Sequence, residues 1–168
     1  MNTNGSVNAA DLSLNYEYQL MVRTGFSGSP GGGTTENYAP VAVGFDNITE
    51  SLNEVLYQSG FISDKGWGSS YVTGGQMIVT LTGVRVKGDK AQDYIFSDEV
   101  MYGFGKARET AFRMILPEGD MVECSATLAK ITRSGGAANQ PTAISVEIHF
   151  NGEPTYTCLL YTSDAADE

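Results

Sequence analysis

The sequence predicts a mainly β protein: a rolled antiparallel β-sandwich or barrel flanked by one α-helix. Three observations lead there. Apolar and polar residues alternate with period two along most of the chain, the mark of strands with one buried face. A single segment carries helical periodicity with both a start and a stop signal. Turn-forming residues space the last three alternating segments as a meander.

In chain order, Leu14, Tyr16, Tyr18, Leu20 and Val22 alternate with Asn15, Glu17, Gln19 and Arg23, which predicts a half-buried strand. The stretch from Gly25 to Asn37 has five glycines, a proline and no apolar periodicity, and reads as part of a flexible loop over 25–38. A loop of this length is usually functional or disordered. Val41, Val43 and Phe45 suggest another strand. From Asn47 to Gly60 the sequence is ambiguous, because Ile48, Leu52, Val55 and Leu56 fall at helical spacing inside β-rich surroundings; local pattern alone favours a short helix. Gly60 to Gly75 is turn-rich, with the single tryptophan, Trp67, between two glycines.

A strand is expected over Gln76–Val86, with Met77, Val79 and Leu81 inward and Thr80 and Thr82 outward. The helix is expected over Asp89–Tyr102. Asp89 supplies an N-cap, Gln92 stands where a capping box wants it, and Gly103 and Gly105 end the segment. Its apolar side gathers Ala91, Tyr94, Ile95 and Met101, opposite Lys90, Asp93 and Ser97. Three meander strands follow over Arg108–Leu116, Met121–Thr132 and Thr142–Asn151. Phe112, Met114 and Leu116, then Val122, Cys124, Ala126 and Leu128, then Ile144, Val146, Ile148 and Phe150 face inward. Pro117–Asp120 makes the first turn and Ser134–Ala137 begins the looser second connection.

Composition narrows the function. The 168 residues suit one domain, and a chain of this length buries about two thirds of its unfolded surface without staples. With 20 acidic against 10 basic residues, a nucleic-acid-binding face or a polybasic membrane anchor is excluded. The polar start lacks a signal-peptide pattern and no apolar run reaches the roughly 18 residues of a membrane span, so a soluble protein made in a cytoplasm is expected. The last eleven residues, Cys158 to Glu168, back-translate in frame to the adapter of transposase-based sequencing libraries. They are read as read-through rather than native sequence, which sets the domain at 1–157. Removing their three acids leaves 17 acidic residues against 10 basic, a net charge near −7, with Cys124 as the one authentic cysteine.

Catalytic signals are weak. His149 is the single histidine and falls on the polar face of its strand beside Glu147; an exposed strand histidine outweighs a general base or a metal ligand. Cys124 alternates into the core, so it reads as a small buried apolar residue. Gly31–Gly33 lacks the lysine and helix of a phosphate loop, and Gly103-Phe104-Gly105 follows a helix instead of preceding one. Glu50 and Glu54 resemble a glycosidase pair only in being two nearby carboxylates. Tyr57, Trp67 and Tyr71 form a possible sugar-stacking platform, with core or interface packing as the plainer reading. No catalytic, cofactor or metal residue is assigned.

Four elements, GFDNITESLNE (Gly44 to Glu54), GWGSSYVTGGQMIVTLTGVR (Gly66 to Arg85), GDKAQDYIF (Gly88 to Phe96) and ISVEIHFNGEPTY (Ile144 to Tyr156), occur in this order. Together they resemble the major tail proteins, or tail tube proteins, of long-tailed non-contractile phages, of the lactococcal siphophage type. The likeness spans nearly all of Asp11 to Tyr156. It implies a non-enzymatic virion protein whose subunits form hexameric rings that stack into a tube, a conduit for DNA ejection. It further implies that Asn47 to Tyr57 is strand, against the local pattern, and that a long loop reaches an adjacent ring. The matching inter-ring candidates are Gly25, Phe26, Gly28, Pro30, Gly32 and Tyr38. Asp46, Glu50, Glu54, Glu118 and Asp120 are the lumen candidates, since an acidic wall repels phosphates. The implied partners are further copies of the chain, tape-measure and tail-terminator or completion proteins, and DNA passing without specific binding. No cofactor and no membrane are implied; the protein would reside in the virion, and in the host cytoplasm during assembly. A carbohydrate-binding β-sandwich of a tail fibre or baseplate is the alternative.

Overall fold

The computed structural model describes residues 13–25 and 37–158. It contains ten strands and two short helices: β1 (Gln19–Arg23), β2 (Tyr38–Pro40), β3 (Phe45–Ser51), β4 (Val55–Ser59), β5 (Ser69–Gly74), β6 (Ile78–Val84), α1 (Lys90–Ile95), α2 (Asp98–Met101), β7 (Glu109–Ile115), β8 (Asp120–Ser134), β9 (Ala143–Phe150) and β10 (Thr155–Cys158). Eight strands make one sheet in the order β2-β1-β7-β8-β9-β6-β3, with every pairing antiparallel. β10 continues the line of β9 along β8, with Thr155 opposite Glu123 where Phe150 stands opposite Ala126. β4 and β5 form a separate two-stranded sheet.

The alternation read from sequence is the burial pattern observed. Val79 and Leu81, Phe112 and Met114, Val122 through Leu128, and Ile144 through Phe150 all point into one apolar cluster shared with Leu20 and Val22. The sheet is therefore rolled around a common interior. Phe112 and Phe150 meet edge to face at 6.1 Å across it. Between β1 and β3 the roll is left unzipped, and Tyr18, Leu20, Val41, Phe45 and Ile48 line the seam.

One end of the roll is covered by the helices. Asp89 caps α1 by accepting from the Gln92 amide at 2.9 Å, and Ala91, Ile95, Phe96 and Val100 drop into the core. The expected single helix breaks at Ser97, which caps α2 through its hydroxyl. The capping box expected of Gln92 does not form. Its buried side chain accepts from Val86 N and Arg85 Nη1 and donates to Val43 O and Val84 O, tying α1 to the ends of β6 and the β2–β3 link. Room for that amide comes from Gly44, at φ +78°, where a Cβ would lie 2.6 Å from Gln92 Nε2; at Gly83 a Cβ would lie 2.0 Å from Gly44 O, so that glycine lets the start of β3 approach β6.

Three further expectations are corrected. The strand expected at Val41, Val43 and Phe45 does not form, since β2 ends at Pro40 and β3 starts at Phe45, with Val43 exposed between them. The strand predicted from Leu14 begins at Gln19, because Asn15–Glu17 is a 3-10 turn in which the Glu17 carboxylate accepts from Leu14 N. The turn-rich 60–75 stretch contains β5, paired with β4. The strand reading of 47–57 holds, with β3 ending at Ser51 and β4 starting at Val55.

Candidate assembly surfaces

The β4–β5 hairpin leaves the rolled body between β3 and β6. Tyr57 is opposite Tyr71 and Leu56 opposite Val72, so the two strands present apolar side chains on both faces. Val55, Leu56, Tyr57, Phe61, Ile62, Tyr71 and Val72 are all exposed, and Trp67 is 82% exposed at the turn. An isolated two-stranded hairpin is marginal in water, and an apolar patch of this extent marks an interaction surface. The residues that suggested a sugar platform thus belong to a larger apolar arm.

The roll has two unlike ends. At the helix end lie α1, α2, the close of β6 and the start of β7. At the hairpin end lie Ser51–Leu52, Met77, Leu116 and Val122, drawn together around one apolar opening with Tyr156. Four of the five proposed lumen acids sit at this end: Glu50 closes β3, Glu54 follows it, and Glu118 and Asp120 belong to the turn between β7 and β8. Glu153, which sequence reading did not single out, joins them, since it lines the cleft below the hairpin with Glu54. Asp46 stands apart, at a bulge near the start of β3. Burial first, and then the neighbouring Glu50 and Glu118 charges, raise the Tyr18 phenol above its ordinary value. Glu50 and Glu54 line different openings, so they do not flank one cleft as a glycosidase pair would.

The outer face of the sheet carries two charge clusters. Glu123 receives both Arg113 nitrogens at 3.1–3.3 Å and the Tyr38 hydroxyl at 2.6 Å, with the guanidinium 4.3 Å over the Tyr38 ring. This fixes Tyr38 against the body as part of β2. Gly25 ends the described part of β1's side, Thr24 and Asn37 are hydrogen-bonded at 2.8 Å, and the other inter-ring candidates, Phe26, Gly28, Pro30 and Gly32, lie outside the described residues. The second cluster is Glu147, bonded to Lys130 Nζ at 2.9 Å and to His149 Nε2 at 2.8 Å. Those two hydrogen bonds, Lys130 first, hold the Glu147 carboxyl below its ordinary value. His149 is half-buried and paired along its own strand. Burial pushes the Tyr94 phenol up, with a hydrogen bond to Thr110 opposing it. Among the described residues no group of three or more His, Cys, Asp or Glu side chains is placed to hold a metal.

The rolled antiparallel sheet has one end under helices and an apolar hairpin thrown out of it. Chains of solved tail and injection-system particles share this fold. The tail of an empty gene transfer agent particle, refined with C6 symmetry, matches with a TM-score of 0.58 at 18% identity, covering 87% of this chain and 99% of that one. The SPP1 tail tube matches with a TM-score of 0.56 at 13% identity, over 88% and 80% of the two chains. A chain of the anti-feeding prophage baseplate matches at 0.57 and 9% identity, over 89% and 97%. No family model and no curated protein matches the sequence.

Proposed function

We propose that the protein is the structural subunit of a phage tail tube, of the long-tailed non-contractile type, forming hexameric rings that stack into a conduit for DNA ejection. The observation that carries this is the superposition on tail structures over nearly the whole of both chains, together with an exposed apolar hairpin that a free subunit would leave in water. The edge strands β2 and β3, each paired on one side only, serve as ring-closing surfaces, since closure removes the open hydrogen-bonding groups that make an edge hazardous. The hairpin over residues 52–77 is a second contact, covered by a neighbouring copy.

The acidic excess suits the conduit. Glu50, Glu54, Glu118 and Asp120, with Asp46, keep DNA from adhering by denying it the cations that would displace its counterions. The 25–38 loop reaches an adjacent ring, and tape-measure and tail-completion proteins meet the tube at its bore and ends. Native mass spectrometry of the purified chain tests the proposal: species in multiples of six are expected, whereas a monomer at every concentration would contradict it. A chain with Ser27–Thr35 deleted should fold and form rings yet stack poorly; tubes of normal length would remove the loop from that role.

A further inference from the structure

One exposed link between two strands is chemically labile. The chain leaves β9 at Phe150 and enters β10 at Thr155 through Asn151, Gly152, Glu153 and Pro154, and among the described residues Asn151 is the one asparagine followed by a glycine. The side-chain amide of an asparagine is open to attack by the peptide nitrogen of the next residue, which makes asparagine thermolabile. A glycine there leaves that nitrogen unshielded.

The local geometry favours the attack. Asn151 and Gly152 are exposed, and Gly152 N donates no hydrogen bond among the described residues. Gly152 sits at φ +99°, and a Cβ placed on it would meet nothing within 4 Å. The Ser125 hydroxyl donates to Asn151 O at 3.2 Å. That bond draws electrons from the Asn151–Gly152 peptide and stabilises the anion formed when Gly152 N gives up its proton. Asn151 Nδ2 donates to Thr127 Oγ1 at 2.8 Å, which holds the amide against β8. Asn53 makes the contrast: it is exposed too, at φ 43°, but Glu54 follows it with a side chain and a negative charge beside the nitrogen that would attack.

We propose that Asn151 is a site of spontaneous modification, where the folded chain exchanges an amide for a carboxylate through a cyclic imide. Gly152 N loses its proton to solvent and bonds to Asn151 Cγ; the Cγ–Nδ2 bond breaks and Nδ2 leaves as ammonia. Water then opens the ring. Attack at Cγ restores the main chain and gives aspartate, whereas attack at the main-chain carbonyl carbon routes the chain through Cγ and gives isoaspartate, longer by a methylene. No oxidant or reductant is required. Either product adds a carboxylate to the cleft that Asn151 lines with Glu54 and Glu153. Isoaspartate also lengthens the link into β10, and so disturbs the pairing of Thr155 and Tyr156 with Glu123 and Val122.

Peptide mapping by mass spectrometry of the full chain, kept warm at mildly alkaline pH, tests this. Asn151 should convert to aspartate and isoaspartate at a rate within about tenfold of that in the urea-unfolded chain, while Asn47 and Asn53 keep their amides. Ser125→Ala should slow the conversion about fivefold. Hydrogen exchange over Thr155–Thr157 should quicken in the aged protein and stay slow in Asn151→Asp, which carries the charge without the extra methylene. Retention of the Asn151 amide by the folded chain while the unfolded chain loses it would overturn the inference, as would equal loss at Asn53.

Discussion

Strands β6 and β4 are similar in composition and opposite in fate. In β6, Val79 and Leu81 are buried while the residues between them face outward. In β4, Val55, Leu56 and Tyr57 are consecutive and all exposed, with only Ser59 partly covered. Apolar residues on one face describe a strand that its own chain buries. Apolar residues on both faces of a projecting hairpin describe a strand that its own chain does not cover, and under the proposed function that difference separates the part of this molecule that folds from the part that assembles.

The sharpest way to break the comparison is to cut into each part and measure both folding and association. Phe112→Ala removes one half of the buried ring pair and should cost about 3–5 kcal/mol in denaturant unfolding. Gln92→Leu should cost about 1–3 kcal/mol, because Val43 O, Val84 O and Val86 N lose their partner in a buried place. Ile62→Ser and Trp67→Ser should change subunit stability by no more than about 0.5 kcal/mol and yet abolish association, read by sedimentation. Unfolding losses in the hairpin as large as those in the core would erase the distinction.

The smallest effect is a pH dependence confined to the sheet's outer face. Glu147 has its pKa lowered in the folded state, so its contribution is complete above the unfolded value of 4.5 and is lost as the pH falls through the lowered one. Glu147→Gln should lower stability near neutrality, where the carboxylate's contribution is complete, and its difference from the unaltered protein should shrink as the pH falls below 4.5. An unaltered acid limb would mean that the Lys130 and His149 bonds contribute nothing measurable.

The core was largely legible from sequence, because period-two alternation and burial are the same fact seen twice. Val122, Cys124, Ala126 and Leu128 were assigned inward and are inward. Leu14 and Tyr16 continue that alternation but lie outside the sheet, since Glu17 bonding back to the Leu14 amide offers the chain a local turn instead. Gln92 looks like a surface capping residue because its spacing from Asp89 is right for one; the core position depends on Gly44 making space, which no local window reveals. The hairpin was hidden for a related reason. Its β5 half, Ser69–Gly74, lies in a glycine-rich stretch without a buried face, so the alternation that marks strands has no cause to appear there. The gathering of Glu153 with Glu54 depends on how the strands are paired across the roll, which spacing along the chain does not encode.

A cryo-EM map of whatever the purified full chain forms tests the central claim most directly. Stacked rings with an open bore, in which residues 52–77 are buried against a neighbouring copy, are the expected result. A dispersed monomer, or an assembly in which that hairpin stands free in solvent, would contradict it.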